Sequence, residues 1–314
     1  MKNVTVKPCL ATDLDLDKAK YPYLGLAKID GVRALNILDE GFLSRSMKNF
    51  DNQFVSDRYD IPEFIGFDGE LSYGPITAKD LVNVTTSVVN SHSDPRANDL
   101  VWNLFDYITH ETKDLPYKER YGLLVKKVRE IKESNPELGK RIDIIPAKLI
   151  LNRGELETFD SVNLELGYEG SVFRSIDGKY KFGRTTVNEN NYLRLKRFIQ
   201  EDAIVISIVE ALENTNEKKT NELGLSERSS HKANKIPKAM VGSLICKDIK
   251  TGNTITVGPG EMTHEQRVYY FINQNELINQ VISYKHFPKG AKDKPRFPTF
   301  VNIRNKTDLV DEWI

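Results

Sequence analysis

Leu24-Gly25-Leu26-Ala27-Lys28-Ile29-Asp30-Gly31-Val32-Arg33 is the stretch on which the fold turns. A short apolar run ends in a lysine, an Asp-Gly pair follows, and a second run begins with Val32 and an arginine. The pattern predicts two strands around a tight turn, with Gly31 supplying backbone freedom. A lysine at the end of an apolar strand can be partly desolvated and surrounded by other cations, and both circumstances favour a neutral amine able to attack an electrophile. A plainer reading pairs Lys28 with Asp30 before a turn, and the hexapeptide alone does not decide between the two.

Outward from this stretch, further strand and turn signals lie at Phe64 to Tyr73 (FIGFDGELSY) and at Asp99 to Ile108 (DLVWNLFDYI). Tyr121, Leu124, Val125, Val128 and Ile131 recur at helical spacing and predict a helix over Pro116 to Ser134, packed on a sheet and without chemistry of its own. After Phe198 the texture changes to short β segments punctuated by Gly and Pro, without long helices, as in a small barrel of the OB type. The expected domains are therefore 1–199 and 200–314. Within the second, 213–238 is polar and too long for an ordinary hairpin loop, so it is either disordered or ordered by a partner.

The 314 residues suit two domains, each large enough for its own core. Lys+Arg and Asp+Glu balance at 45 each, which excludes a uniformly cationic packaging protein but not local basic faces. Residues 285–306 hold seven Lys+Arg against Asp293 alone, and 214–240 hold six against three Glu. Cys9 and Cys246 stand far apart, which argues against a disulfide framework, a zinc ribbon and a CxxC redox site. His92, His110, His231, His264 and His286 show no ligand spacing. No apolar run approaches the roughly 18 residues of a membrane span, and Met1 to Leu10 has no apolar signal core. A soluble intracellular protein is expected.

Five more segments follow Lys28–Arg33 in order: Phe67-Asp68-Gly69-Glu70-Leu71, Trp102 to Tyr107, Glu169-Gly170-Ser171-Val172-Phe173-Arg174, Arg194-Leu195-Lys196, and Arg296 to Arg304. Each is weak alone. Six in this order, the last inside the expected barrel, resemble the ATP-dependent DNA ligases of the covalent nucleotidyltransferase superfamily. The likeness extends over Gly178 to Thr185, the polar 214–232 segment and Pro295 to Pro298, and it is greatest to the minimal viral members. It implies an α+β nucleotidyltransferase (ATP-grasp-like) domain of antiparallel sheets with flanking helices, followed by an OB-fold β-barrel. It also implies that 213–238 is a latch-like insertion that closes around DNA.

By that resemblance Lys28 attacks the α-phosphorus of ATP and carries AMP, while Asp30 orients Lys28 or holds metal-bound water. Lys196 binds the α-phosphate with Arg194 beside it. Leu26 and Ala27 lie along the adenine, Phe105 stacks on it, and Glu70 meets the ribose hydroxyls. Glu169, with Asp30 and Glu70, holds Mg²⁺, for which Mn²⁺ can substitute. Arg33 and Arg45 hold the AMP phosphate or the 5′-phosphate of the nick. Arg184 stays open between a phosphate contact and a solvated strand-edge charge. Lys232 contacts DNA, and Arg296 and Arg304 grip the pyrophosphate of ATP. The implied partner is nicked double-stranded DNA, bound by a monomer with no membrane and no protein partner. The implied setting is the cytoplasm, or the host's cytoplasm or nucleus if the chain is viral.

Two positions depart from the family pattern. Leu26 stands where the related viral enzymes have a polar side chain that helps to read the adenine amino group, and leucine cannot hydrogen-bond. Arg194 replaces a lysine, keeping charge but changing geometry. The expectation is ATP as donor with looser discrimination. RNA ligases and mRNA capping guanylyltransferases of the same superfamily are the alternative, against which Arg33 and the Arg296-Phe297-Pro298 ending count. A non-catalytic OB protein with a dead transferase domain is disfavoured by Lys28, Glu70, Glu169 and Lys196 occurring together.

Overall fold

The computed structural model describes residues 6–195, 198–229, 231–287 and 295–304. The chain divides into two compact units, Met1–Lys196 with Asn221–Leu225, and Arg197–Thr220 with Ser226–Ile314.

The first unit contains two five-stranded sheets. One runs in the order Thr12–Asp13, Tyr192–Leu195, Gly170–Ser175, Tyr23–Lys28, Ala147–Ile150. The other runs Leu43–Ser44, Val32–Leu35, Phe67–Ser72, Val101–Tyr107, Ile142–Ile144. Pairing is antiparallel except at the Thr12–Asp13 and Ile142–Ile144 edges, and a short parallel pair joins Cys9–Leu10 to Gly183–Arg184. Strand alternation sorts the side chains. In the first sheet Tyr23, Phe173 and Leu193 pack with Leu156 of the Arg153–Glu165 helix, whereas Leu26, Val172 and Tyr192 pack with Phe105, Tyr117 and Ile145. In the second sheet Phe67, Leu71, Trp102 and Leu104 form a core with Leu124, Val128 and Ile131. Those last three lie on the Tyr117–Ser134 helix, the surface helix that the 3.6-residue spacing predicts.

The two strands flanking Ile29-Asp30-Gly31 do not form the expected hairpin. Tyr23–Lys28 belongs to the first sheet and Val32–Leu35 to the second, so the three residues between them are a crossover. Nor does Gly31 adopt a left-handed backbone. A Cβ there would lie 2.3 Å from the Leu71 carbonyl oxygen and 2.8 Å from Glu70 Cγ, so close approach demands glycine.

The second unit is a five-stranded antiparallel sheet in the order Thr254–Val257, Lys235–Asp248, Ile199–Asn214, Val281–Phe287, Arg296–Ile303. Register breaks along the Ile199–Asn214 and Lys235–Asp248 pair bend it. The edges meet where Gly258 donates to the Pro298 carbonyl at 2.8 Å and accepts from Phe300 N at 2.9 Å, so the sheet curls into the expected OB-type barrel. Val205, Val241, Leu244, Cys246, Ile282 and Tyr284 fill its core. The texture of this half suggested strands without long helices, and the helix here, His264–Ile272, is a short one of 9 residues. Its capping box, Thr263 with Gln266, is a local signal that the strand-rich reading passed over.

Within the polar segment, Lys218–Thr220 pairs with Ser226–Arg228 as a small hairpin. Asn216, itself buried, donates to the carbonyls of Ser229 and His231 and accepts from Asn234, and Arg228 donates to the carbonyls of Asn214 and Asn216. Side-chain amides and the Arg228 guanidinium thus close the base of the extension. No helix among the described residues is long and apolar enough to cross a membrane.

Candidate active site

The chemistry-bearing side chains of the first unit converge on a cavity of about 680 Å³. Leu26, Ala27, Lys28, Arg33, Arg45, Glu70, Phe105, Arg184 and Arg194, all singled out in the sequence, line it. Lys28 ends its strand opposite Gly170, and its carbonyl accepts from Glu169 N at 3.1 Å. This register brings the Glu169 carboxylate onto the Lys28 ammonium as an ion pair, across 141 residues of sequence. The sequence reading offered other cations or Asp30 as the surroundings of Lys28; the structure supplies Glu169. Asp30 lies in the crossover, two residues on.

Glu70 stands on the facing sheet, paired in register with Arg33. Burial pushes its carboxyl up to about 7; Lys28 and Arg33 pull it down, while Glu169 and Asp68 add to the rise. Arg33 forks onto Asp68 with two bonds of 2.7 Å and donates to the Cys9 carbonyl at 3.2 Å. Its guanidinium centre lies 4.7 Å from the Phe105 ring centroid. Phe105 itself is the extra residue of a bulge: Asp106 pairs with Asp68 and Leu104 with Gly69, leaving Phe105 between them without a partner in the ladder. Bulges re-aim side chains at functional sites, and here the ring turns to the cavity. The Tyr117 hydroxyl pins the bulge by donating to the Phe105 carbonyl at 2.7 Å.

Five arginines line this cavity: Arg33, Arg45, Arg174, Arg184 and Arg194. Although Arg45 reaches solvent, partial burial and then Arg33 and Arg184 draw its pKa below the usual arginine value. Arg184 donates to the Ala11 carbonyl at 2.5 Å, and Arg194 donates to Asp13 at 2.7 Å. Such a cluster of donors suits polyanionic phosphate.

Other expected residues lie elsewhere. Lys196 falls outside the described residues. Lys232, Arg296 and Arg304 belong to the second unit, where Arg304 Nε is 3.4 Å from the Asp202 carboxylate. Among the described residues no group of three or more His, Cys, Asp or Glu is placed to hold a metal ion. Asp30, Glu70 and Glu169 are therefore not a ready-made cage. Mg²⁺, however, characteristically takes one or two carboxylates and completes its shell with substrate phosphates and water, and the partly exposed Glu169 and the neighbouring crossover carboxylate fit that need.

The sequence reading missed a buried polar layer behind the cavity. Asp106 accepts from Arg120 at 2.8 and 3.1 Å and from Arg174 at 2.7 Å, with all three residues at most 1% exposed. Asp68, fully buried, holds Arg33 and accepts from the Tyr180 hydroxyl at 3.2 Å. The signal was available: a charged residue inside an apolar strand run needs a buried partner, and Asp68, Asp106 and Arg174 all sit in such runs.

The fold resembles that of solved DNA ligases, in which a nucleotidyltransferase domain is followed by an OB-fold domain. Residues 235–304 match the DNA ligase OB-like domain family. No curated protein sequence matches the chain. Among solved structures it is similar to Chlorella virus DNA ligase-adenylate, with 26% identity and a TM-score of 0.51 over 96% of this chain and 100% of that one. A Lig E DNA ligase, described as binding DNA with a minimal scaffold, shares the fold at 17% identity and a TM-score of 0.68, covering 96% of this chain and 100% of its own.

Proposed function

We propose that the chain is an ATP-dependent DNA ligase that seals nicks between a 3′-hydroxyl and a 5′-phosphate in duplex DNA. The observation that carries this reading is the Lys28 amine at a cavity that also presents Glu70, Phe105 and five arginines. An attacking amine, a carboxyl for ribose hydroxyls, an aromatic face for a base and cations for phosphates are the parts a nucleotidyl transfer needs.

In the first step the Lys28 nitrogen attacks the α-phosphorus of ATP, the bond to the β-phosphate oxygen breaks, pyrophosphate leaves and a lysine-AMP phosphoramidate remains. Proton loss from the ammonium must precede attack, and Glu169, already ion-paired to it, is placed to accept that proton or hold it in line. In the second step a 5′-phosphate oxygen attacks the phosphorus of AMP and frees Lys28. In the third the 3′-hydroxyl attacks the 5′-phosphorus and AMP departs. Negative charge accumulates on phosphoryl oxygens throughout, so positioning and cationic stabilisation dominate. Arg33 is held rigid for this by Asp68, whereas Arg45 and Arg184 are more exposed and suited to an incoming strand end. Bound Mg²⁺, held by Glu169 and Asp30 with Glu70 nearby, would neutralise phosphate charge. Lys196, Arg296 and Arg304 are assigned to the α-phosphate and the pyrophosphate, and Lys232 and the 213–238 latch to DNA, on the resemblance alone. The domains of this reading are 1–199 and 200–314.

Sealing of singly nicked duplex DNA by the purified protein with ATP and Mg²⁺ tests the proposal. Ligated product from the DNA nick and none from single-stranded RNA ends is expected. An adduct that transfers only to RNA, or forms only with GTP, would move the assignment to the RNA ligases or capping enzymes.

A further inference from the structure

The chain from Pro8 to Asp13 passes the cavity as a strap. Cys9–Leu10 pairs in parallel with Gly183–Arg184, and Thr12–Asp13 pairs in parallel with Leu193–Arg194. Successive carbonyls along such a segment face opposite ways. Those of Pro8 and Leu10 accept from the backbone amides of Gly183 and Thr185 at 3.2 and 2.9 Å. Those of Cys9 and Ala11 accept from side chains instead, Arg33 Nη2 at 3.2 Å and Arg184 Nη1 at 2.5 Å. Two residues further on, the Asp13 carboxylate accepts from Arg194 Nε at 2.7 Å. One short strap thus holds three of the cavity's arginines from alternate positions.

The three are held unequally. Arg33 is fixed a second time by its fork onto Asp68. Arg194 keeps 25% of its side chain in solvent, and its charge is one of three, with Arg33 and Arg184, that bear on Arg45 as like charges. Mutual repulsion favours turning Arg194 out to water, and a carboxylate at Nε opposes that. The bond at Nε also fixes the guanidinium plane near its stem, so that the terminal Nη1 and Nη2 are the pair suited to two phosphate oxygens. A lysine at this position would have one charged nitrogen and no second point of attachment. Asp13 is itself 55% exposed, so the pair adds little to stability, and a carboxylate beside a phosphate site repels the ligand. What Asp13 offers the site is the orientation of Arg194.

We propose that Asp13 is a positioning residue for nucleotidyl transfer, holding the Arg194 guanidinium by Nε so that Nη1 and Nη2 meet oxygens of the α-phosphate. The inference rests on the reading of this cavity as the site where Lys28 takes up AMP. It gives the strap before the first motif a part in the reaction, through a residue that none of the six motifs contains.

The test measures kcat and KM for lysine adduct formation in the full-length wild type, in Asp13→Ala and Asp13→Asn, and in Asp13→Ala placed on an Arg194→Lys background. Asp13→Ala should lower kcat about ten-fold, the scale of one charge-assisted hydrogen bond, with KM for ATP within about two-fold of wild type. Its urea midpoint should not move, because so exposed an ion pair adds little to stability. Asp13→Asn, whose amide oxygen can still accept from Nε, should recover most of the rate. On the Arg194→Lys background, which has no Nε to hold, Asp13→Ala should lower kcat by less than about two-fold. A kcat for Asp13→Ala within about two-fold of wild type or above it, no recovery in Asp13→Asn, or an equal fall on the Arg194→Lys background would overturn the inference while leaving the ligase reading intact. A wild type that forms no adduct with ATP would overturn that reading, and this inference with it.

Discussion

Removing the Asp106 carboxylate is the perturbation whose cost the structure defines most sharply. Asp106 is fully buried, accepts three bonds from Arg120 and Arg174, and also caps the Tyr107 amide at 2.9 Å. Burial alone would raise its pKa, but Arg120 and Arg174 outweigh burial and hold it below the ordinary carboxylate range. A depressed carboxylate pKa stabilises the folded state above the unfolded value, and that contribution disappears as pH falls through the folded one. Asp106→Ala would leave two buried guanidinium groups with no counter-charge, and breaking a buried pair in this way costs about 3 to 5 kcal/mol. Asp106→Asn keeps size and an acceptor, so about half that loss is expected. Urea unfolding at pH 7, followed by the fluorescence of the buried Trp102 in the same unit, measures both. A loss below about 1 kcal/mol for Asp106→Ala, within the range of an unremarkable surface change, would refute the view that this carboxylate neutralises the layer behind the cavity.

Three further perturbations separate the parts of the account. Gly31→Ala forces a Cβ against the Leu71 carbonyl, so the crossover must shift; lysine adduct formation should fall by about 100-fold while most secondary structure, read by circular dichroism, survives. Phe105→Leu removes the ring beneath Arg33 and should raise KM for ATP about two- to ten-fold, with kcat for adduct formation nearly unchanged. In the second unit, burial pushes the Glu201 carboxyl up, but Lys250, His286 and Tyr284 outweigh it and hold the pKa below its ordinary value. Glu201→Gln should therefore cost about 1 to 2 kcal/mol at pH 7, and the gap should close as pH falls below the ordinary carboxylate value. An equal gap at pH 7 and pH 3 would contradict the assignment.

Strands, the long helix and the order of the motifs were legible because each rests on local periodicity or on residue identity. What Lys28 touches was not legible. Glu169 reaches it only through antiparallel pairing of Gly170–Ser175 with Tyr23–Lys28, and nothing near Lys28 specifies that partner. For the same reason the Lys28–Arg33 stretch looked like a hairpin: two strands and a glycine look alike whether they pair with each other or diverge into different sheets. The need for Gly31 comes from the Leu71 carbonyl, forty residues away in sequence. Phe105 was visible as an aromatic, but its aim depends on a bulge that only the partner strand defines. Arg174 stood in a segment already singled out, but its burial between two tyrosines and its bond to Asp106 depend on contacts that no local pattern specifies.

The central claim is that Lys28 carries AMP. Incubation with ATP and Mg²⁺, followed by proteolysis and mass spectrometry, reads this directly. The account predicts an AMP-sized increment on the peptide containing Lys28, stable to alkali but released by acidic hydroxylamine as a P–N bond is, discharged by pyrophosphate or by nicked duplex DNA, and absent from Lys28→Ala. An unmodified wild-type protein, or an increment that persists in Lys28→Ala, would contradict it.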